Sequence, residues 1–113
     1  MNYEIKQKGR AYYKSILMIL NFNLELSNLE MDIISTLMDN DMLEVNIDSR
    51  EYLRKILNKD KFMTNNYVKR LRNKNILLPK KDSKAFYINP ELVTILKEGN
   101  LNFKFIKDDS DSL

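Results

Sequence analysis

Apolar residues along this chain fall into short clusters at helical spacing, separated by polar turns. Tyr12, Tyr13, Ile16, Leu17, Ile19 and Leu20 predict a first helix over residues 9–21, although the same stretch is compatible with a strand. Ser27 with Glu30 has the spacing of a capping box, in which hydroxyl and carboxylate each satisfy a free backbone N–H. The helix it opens places Leu29, Ile33, Ile34, Leu37 and Met38 on one face and stops near Asn40. Asp48 with Glu51 gives a similar start signal for a short helix carrying Tyr52, Leu53, Ile56 and Leu57, which Asn58 ends.

The next segment, NNYVKRLRNKNILLPKKDSKAFYI, changes character. Thr64 is the expected cap of a helix over residues 65–74, with Tyr67, Val68 and Leu71 as its inner stripe. Asn75 stands where a left-handed C-terminal residue is wanted, a conformation Asn tolerates. Residues 76–78 and 85–88 read as two strands joined by a Lys-rich loop. Asn89-Pro90-Glu91 starts a last helix, since Pro suits the first helical turn and Asn caps it. Leu101, Phe103 and Phe105 then alternate with polar neighbours as a possible late strand. The acidic residues 108–113 read as a disordered tail, and a solvating role is favoured over cation binding for Asp108, Asp109 and Asp111. The expected organisation is one domain over residues 1–107, mainly α with a small β-hairpin (α+β), and its core at about 12–97.

Charge sharpens this picture. Residues 25–48 carry seven acids and no Lys or Arg, whereas residues 50–84 carry twelve Lys and Arg against three acids. The overall net charge of +3 says little, but the basic block creates a strong local positive potential. The fourteen Asn, with many Lys, Ile and Tyr, point to an AT-rich genome, a bias that also inflates the Lys count.

Absent residue types narrow the chemistry. Without Cys there is no disulfide framework, thiolate nucleophile or Cys-held zinc, and without His the usual general base and metal ligand are missing. A nucleophilic role for Tyr12 or Tyr13 in DNA nicking would need a metal held by His, so packing is the expected role of both. We expect no enzyme, no cofactor and no metal. The longest apolar run, residues 16–20, is too short to span a bilayer. The polar first ten residues have no signal-peptide pattern, so a cytoplasmic location and no membrane partner are expected.

Three short helices, the third basic, followed by a hairpin with Lys at its tip, resemble the winged helix-turn-helix superfamily over about residues 12–97. The resemblance rests on Ser27-Asn28-Leu29-Glu30, on REYLRKIL, on TNNYVKRLRNKNILLP and on KAFYINPEL. It is nearest to single modules of bacterial, plasmid and phage regulators or replication proteins. It implies a double-stranded DNA partner, with the helix at 65–74 in the major groove and the hairpin as a wing along the backbone or minor groove.

On the recognition helix the candidate contacts are Asn65, Asn66, Lys69, Arg70, Arg72, Asn73 and Lys74. Asn65, Asn66, Lys69 and Arg70 would read bases, because Asn pairs with adenine and Arg with guanine, while Arg72 and Lys74 would meet phosphate. Lys80, Lys81 and Lys84 on the wing, with Arg50, Arg54 and Lys55 near the helix that carries REYLRKIL, would flank the groove and complete the set. Members of the superfamily also serve as protein-interaction or virion-assembly modules, so a protein partner stays open. Only residues 1–22 and 98–107 are left to build a homodimer.

Overall fold

The computed structural model of the chain describes residues 3–109. The acidic stretch read as a tail lies outside these residues from position 110 onward; 108 and 109 are exposed and in no regular element.

Helix α1, Gly9–Leu24, runs three residues past its expected end, since nothing in Phe22-Asn23-Leu24 breaks the stripe that Leu20 and Leu24 continue. Asn21 then fastens the turn. Its Nδ2 donates to the Leu26 carbonyl at 2.9 Å, and the Leu26 N–H donates to its Oδ1 at 2.6 Å. Helix α2, Asn28–Asp39, starts on the expected capping box: Ser27 Oγ accepts from the Glu30 N–H at 3.2 Å, and Glu30 Oε1 from the Ser27 N–H at 2.9 Å. It is the central helix, with Ile33, Ile34 and Leu37 almost wholly enclosed.

A two-residue strand, β1 (Glu44–Val45), precedes α3, Ile47–Leu57. The cap of α3 is Asn46 with Ser49, two residues ahead of the expected Asp48–Glu51 pair. Asn46 Oδ1 accepts from the Ser49 N–H at 2.9 Å, and Ser49 Oγ from the Asn46 N–H at 2.8 Å. Asp48 falls instead in the first turn, where its charge suits the helix dipole. Asn58 ends α3 in the left-handed conformation.

Helix α4 spans Lys61–Asn73 and leads through left-handed Asn75 into β2, Leu77–Pro79. Strand β3, Phe86–Ile88, lies between β2 and β1 in an antiparallel sheet of order β1-β3-β2, with Leu78 opposite Tyr87 and Val45 opposite Phe86. Val45, Leu77 and Ile88 face the core, where they meet Leu53, Leu71 and the α2 residues. Helix α5, Pro90–Glu98, is capped by Asn89 as expected and returns the chain to α1.

The late strand does not form; residues 100–109 are without regular structure. Gly99, left-handed at the end of α5, lies against the Tyr12 ring on α1, on the helical side of the molecule rather than at a sheet edge. Alternation at Leu101, Phe103 and Phe105 therefore has no strand to pair with. Leu101 packs on the core and Phe103 meets Phe22 edge-on at 6.0 Å. Among the described residues, no helix is long and apolar enough to cross a membrane.

Candidate nucleic-acid interface

The basic helix is longer than its sequence suggests. Asp60, not Thr64, is its cap: Oδ1 accepts from the Met63 N–H at 2.7 Å. Thr64 sits one turn inside, buried, with its hydroxyl donating to the Asp60 carbonyl at 2.9 Å. Thr64, Val68 and Leu71 form the buried stripe, with Tyr67 half-buried beside them. The opposite face carries Phe62, Asn66, Lys69 and Asn73, spaced four, three and four residues apart, so all four line one exposed edge.

Lys61 and Phe62 lie outside the expected helix and so outside the expected site. A signal for the earlier start is present, since Asp caps as well as Thr, but the apolar stripe alone favours the later one. Phe62 is 77% exposed on this otherwise polar face.

The N-terminal halves of α3 and α4 and the hairpin loop border an open cleft of about 810 Å³. Arg50, Arg54, Lys61 and Lys84 bring cations to it, Asn65 lines it, and Asp48 is the acid among its lining residues. Arg50 Nη1 donates to Asn65 Oδ1 at 2.8 Å, which ties α3 to α4 across the cleft. Burial of the Arg50 guanidinium pulls its pKa below the ordinary arginine range. An arginine stays charged regardless, so a partly desolvated one gains by meeting an anion.

Not every expected contact is free for a ligand. Lys74 is drawn inward: its Nζ donates to Glu30 Oε1 at 2.8 Å and to the Glu25 carbonyl at 2.7 Å. It stands one residue beyond α4, where its stem reaches back over the start of α2. Glu30 is only 1% exposed, and its second oxygen is buried without a hydrogen bond. Desolvation, the largest influence, pushes the Glu30 pKa up. The Lys74 hydrogen bond and charge and the Ser27 bonds together outweigh it, so the carboxyl ends below its ordinary range. Lys74 is thus committed to an ion pair with Glu30, although its side chain stays 34% exposed.

Lys80 pairs with Glu44 across the sheet at 3.2 Å, an exposed contact that water screens. Arg70 lies over the Tyr67 ring at 4.8 Å and Arg72 over Phe86 at 5.3 Å, flanking the exposed stripe on either side. Lys55, Lys69 and Lys81 are exposed, as are Asn66 and Asn73. The structure thus gathers Arg50, Arg54, Asn65 and Lys84 in one cleft, sets Asn66, Lys69 and Asn73 along the adjoining helix, and places Lys74 elsewhere. The acidic run is partly consumed by ion pairing, through Glu30, Glu44 and an Asp32–Lys14 bridge at 2.7 Å.

Among the described residues, no group of three or more acidic, His or Cys side chains is placed to hold a metal ion. Compared with protein families, characterised proteins and solved structures, the chain finds no match. Its geometry therefore carries the functional argument.

Proposed function

We propose that this chain is a non-enzymatic winged-helix DNA-binding protein, acting in transcription regulation or as a replication accessory factor of a phage, plasmid or AT-rich bacterium. Helices α2, α3 and α4 supply the helix-turn-helix unit and the β2–β3 hairpin the wing. α4 lies in the major groove of double-stranded DNA, and the wing loop follows the backbone. The observation that carries the reading is the cleft where Arg50, Arg54, Lys61 and Lys84 converge beside the exposed edge of α4. A phosphate chain passing there meets cations from two helices and the loop, while the α4 edge faces the bases. Function follows from occupancy: a bound module blocks or recruits other proteins.

A second reading, a protein-interaction or virion-assembly module, has its own support. Met18, Ile19 and Phe22 are exposed on α1, with Phe103 meeting Phe22 edge-on. Such an apolar surface suits a protein partner, a second copy included.

Fluorescence anisotropy with random-sequence duplex DNA over a salt series separates the two. The DNA reading expects affinity that falls steeply with salt, and a Lys69→Ala, Arg70→Ala, Lys84→Ala variant with a slope shallower by up to about 0.9 per lost phosphate contact. Absence of wild-type binding at low salt, with no site enriched from a randomised pool, overturns it in favour of protein docking.

A further inference from the structure

Resting on the DNA-binding reading above, we infer that α4 reads A·T pairs, with Asn66 recognising adenine and Phe62 the 5-methyl group of a neighbouring thymine. The inference comes from which side chains the fold leaves on the exposed edge. Phe62 and Asn66 are one helical turn apart on that edge, followed by Lys69 and Asn73. Guanine is read by arginine or lysine, and the two exposed arginines of α4 stand on the flanks of that edge, Arg70 over Tyr67 and Arg72 over Phe86, not along it with Phe62 and Asn66. The groups along the edge itself are amides, an ammonium and a phenyl ring.

Asn65 and Asn66 are not equivalent. Bidentate recognition of adenine needs both ends of the amide: the carbonyl accepts from N6 and the amino group donates to N7. The carbonyl of Asn65 already accepts from Arg50, which holds that amide in the cleft with its amino group free to donate. That suits a phosphate or another acceptor in the cleft. Asn66, exposed on the outer edge, keeps both ends and is the adenine reader.

Phe62 stands 77% exposed beside Lys61, Asn66 and Lys69. The cations around it suit a strongly anionic partner, and the apolar feature of the major groove is the thymine methyl. Thymine and adenine recognition by residues one turn apart fits adjacent A·T pairs, and it agrees with a protein whose Asn- and Lys-rich composition points to an AT-rich genome.

The test selects duplexes from a randomised pool with wild type, Phe62→Ala and Asn66→Ala, then titrates the wild-type site with uracil replacing each thymine in turn. Both residues are exposed, and a retained circular-dichroism spectrum and unchanged salt slope on random DNA verify that the variants are folded and still bind. The expected wild-type site contains A·T pairs at its centre. One thymine-to-uracil change should weaken wild type about three- to fivefold, the value of burying a methyl group, and leave Phe62→Ala unaffected. Asn66→Ala should lose about tenfold or more in preference for one adenine.

A site dominated by G·C pairs, or a uracil series flat in wild type, overturns this inference while leaving DNA binding intact. Failure of wild type to enrich any sequence overturns the DNA-reading function itself, and the base assignment with it.

Discussion

Replacing Lys74 with methionine keeps the aliphatic stem and deletes the cation that Glu30 meets at 2.8 Å. The carboxylate left behind is 1% exposed, with one oxygen already lacking a hydrogen bond. Breaking a fully enclosed pair costs about 3–5 kcal/mol, because the surviving charge stays desolvated. The Lys74 side chain is 34% exposed, so water screens part of the attraction, and a loss of about 2 kcal/mol is the working value. For a domain of this size that lowers Tm by roughly 8–10 °C.

The pH dependence makes the prediction sharper. In the wild type the folded Glu30 pKa lies below its ordinary 4.5, so its contribution is complete above that value and is lost as pH falls through the folded pKa. In Lys74→Met only the Ser27 bonds still oppose the desolvation that pushes the pKa up, so the folded pKa rises above its wild-type position. The variant's carboxyl then takes up a proton more readily than the wild type's, which relieves the unpaired charge as pH falls. The gap between the two proteins should therefore be widest near neutral pH and narrow toward about pH 4.5. Urea denaturation followed by far-UV circular dichroism at both pH values measures it. Glu30→Gln combined with Lys74→Met should lose less than the sum of the two single changes. A Lys74→Met protein as stable as wild type at neutral pH, yet weaker on DNA, would refute the structural role and return Lys74 to the phosphate contacts.

Asp60→Ala should cost about 0.5–2 kcal/mol in chemical denaturation through loss of the α4 cap. Thr64→Ser keeps the hydroxyl bond to Asp60 but removes a buried methyl, for about 1 kcal/mol; a neutral Asp60→Ala together with a neutral Thr64→Ser would restore the later helix start, because Ser caps as well as Thr. Gly99→Ala should destabilise by about 1 kcal/mol or more, since its φ of +66° disfavours a side chain and a Cβ there meets the Tyr12 hydroxyl; an unchanged Tm would refute that. Lys80→Ala removes an exposed pair and should change stability by no more than about 1 kcal/mol, so a larger loss would mean that water screens the Glu44 carboxylate less than its exposure implies.

Features set by neighbours along the chain are legible in the order of residues alone. The Ser27–Glu30 box, the Asn89-Pro90-Glu91 start, left-handed Asn75 and the burial of Val68 and Leu71 each depend on atoms within a turn or two, so local chemistry specifies them. Errors of helix start, Asp60 for Thr64 and Asn46 for Asp48, arise where two capping residues stand within a turn and only packing chooses between them. Strand β1 is not legible, because two residues carry no periodicity and exist as a strand only by pairing with β3.

The candidate site divides in the same way. Sequence alone determined that twelve cations crowd into residues 50–84 and that α4 has one apolar face, because charge and periodicity are properties of the chain. Tertiary structure decided which of those cations remain available. Glu30 lies 44 residues from Lys74 and Asn65 lies 15 from Arg50, so no local pattern reveals that the first pair is structural or that the second occupies an amide carbonyl. A charged side chain is fixed by what it meets when desolvated, and that partner is chosen by the packing of α2, α3 and α4, not by the order of residues along any one of them.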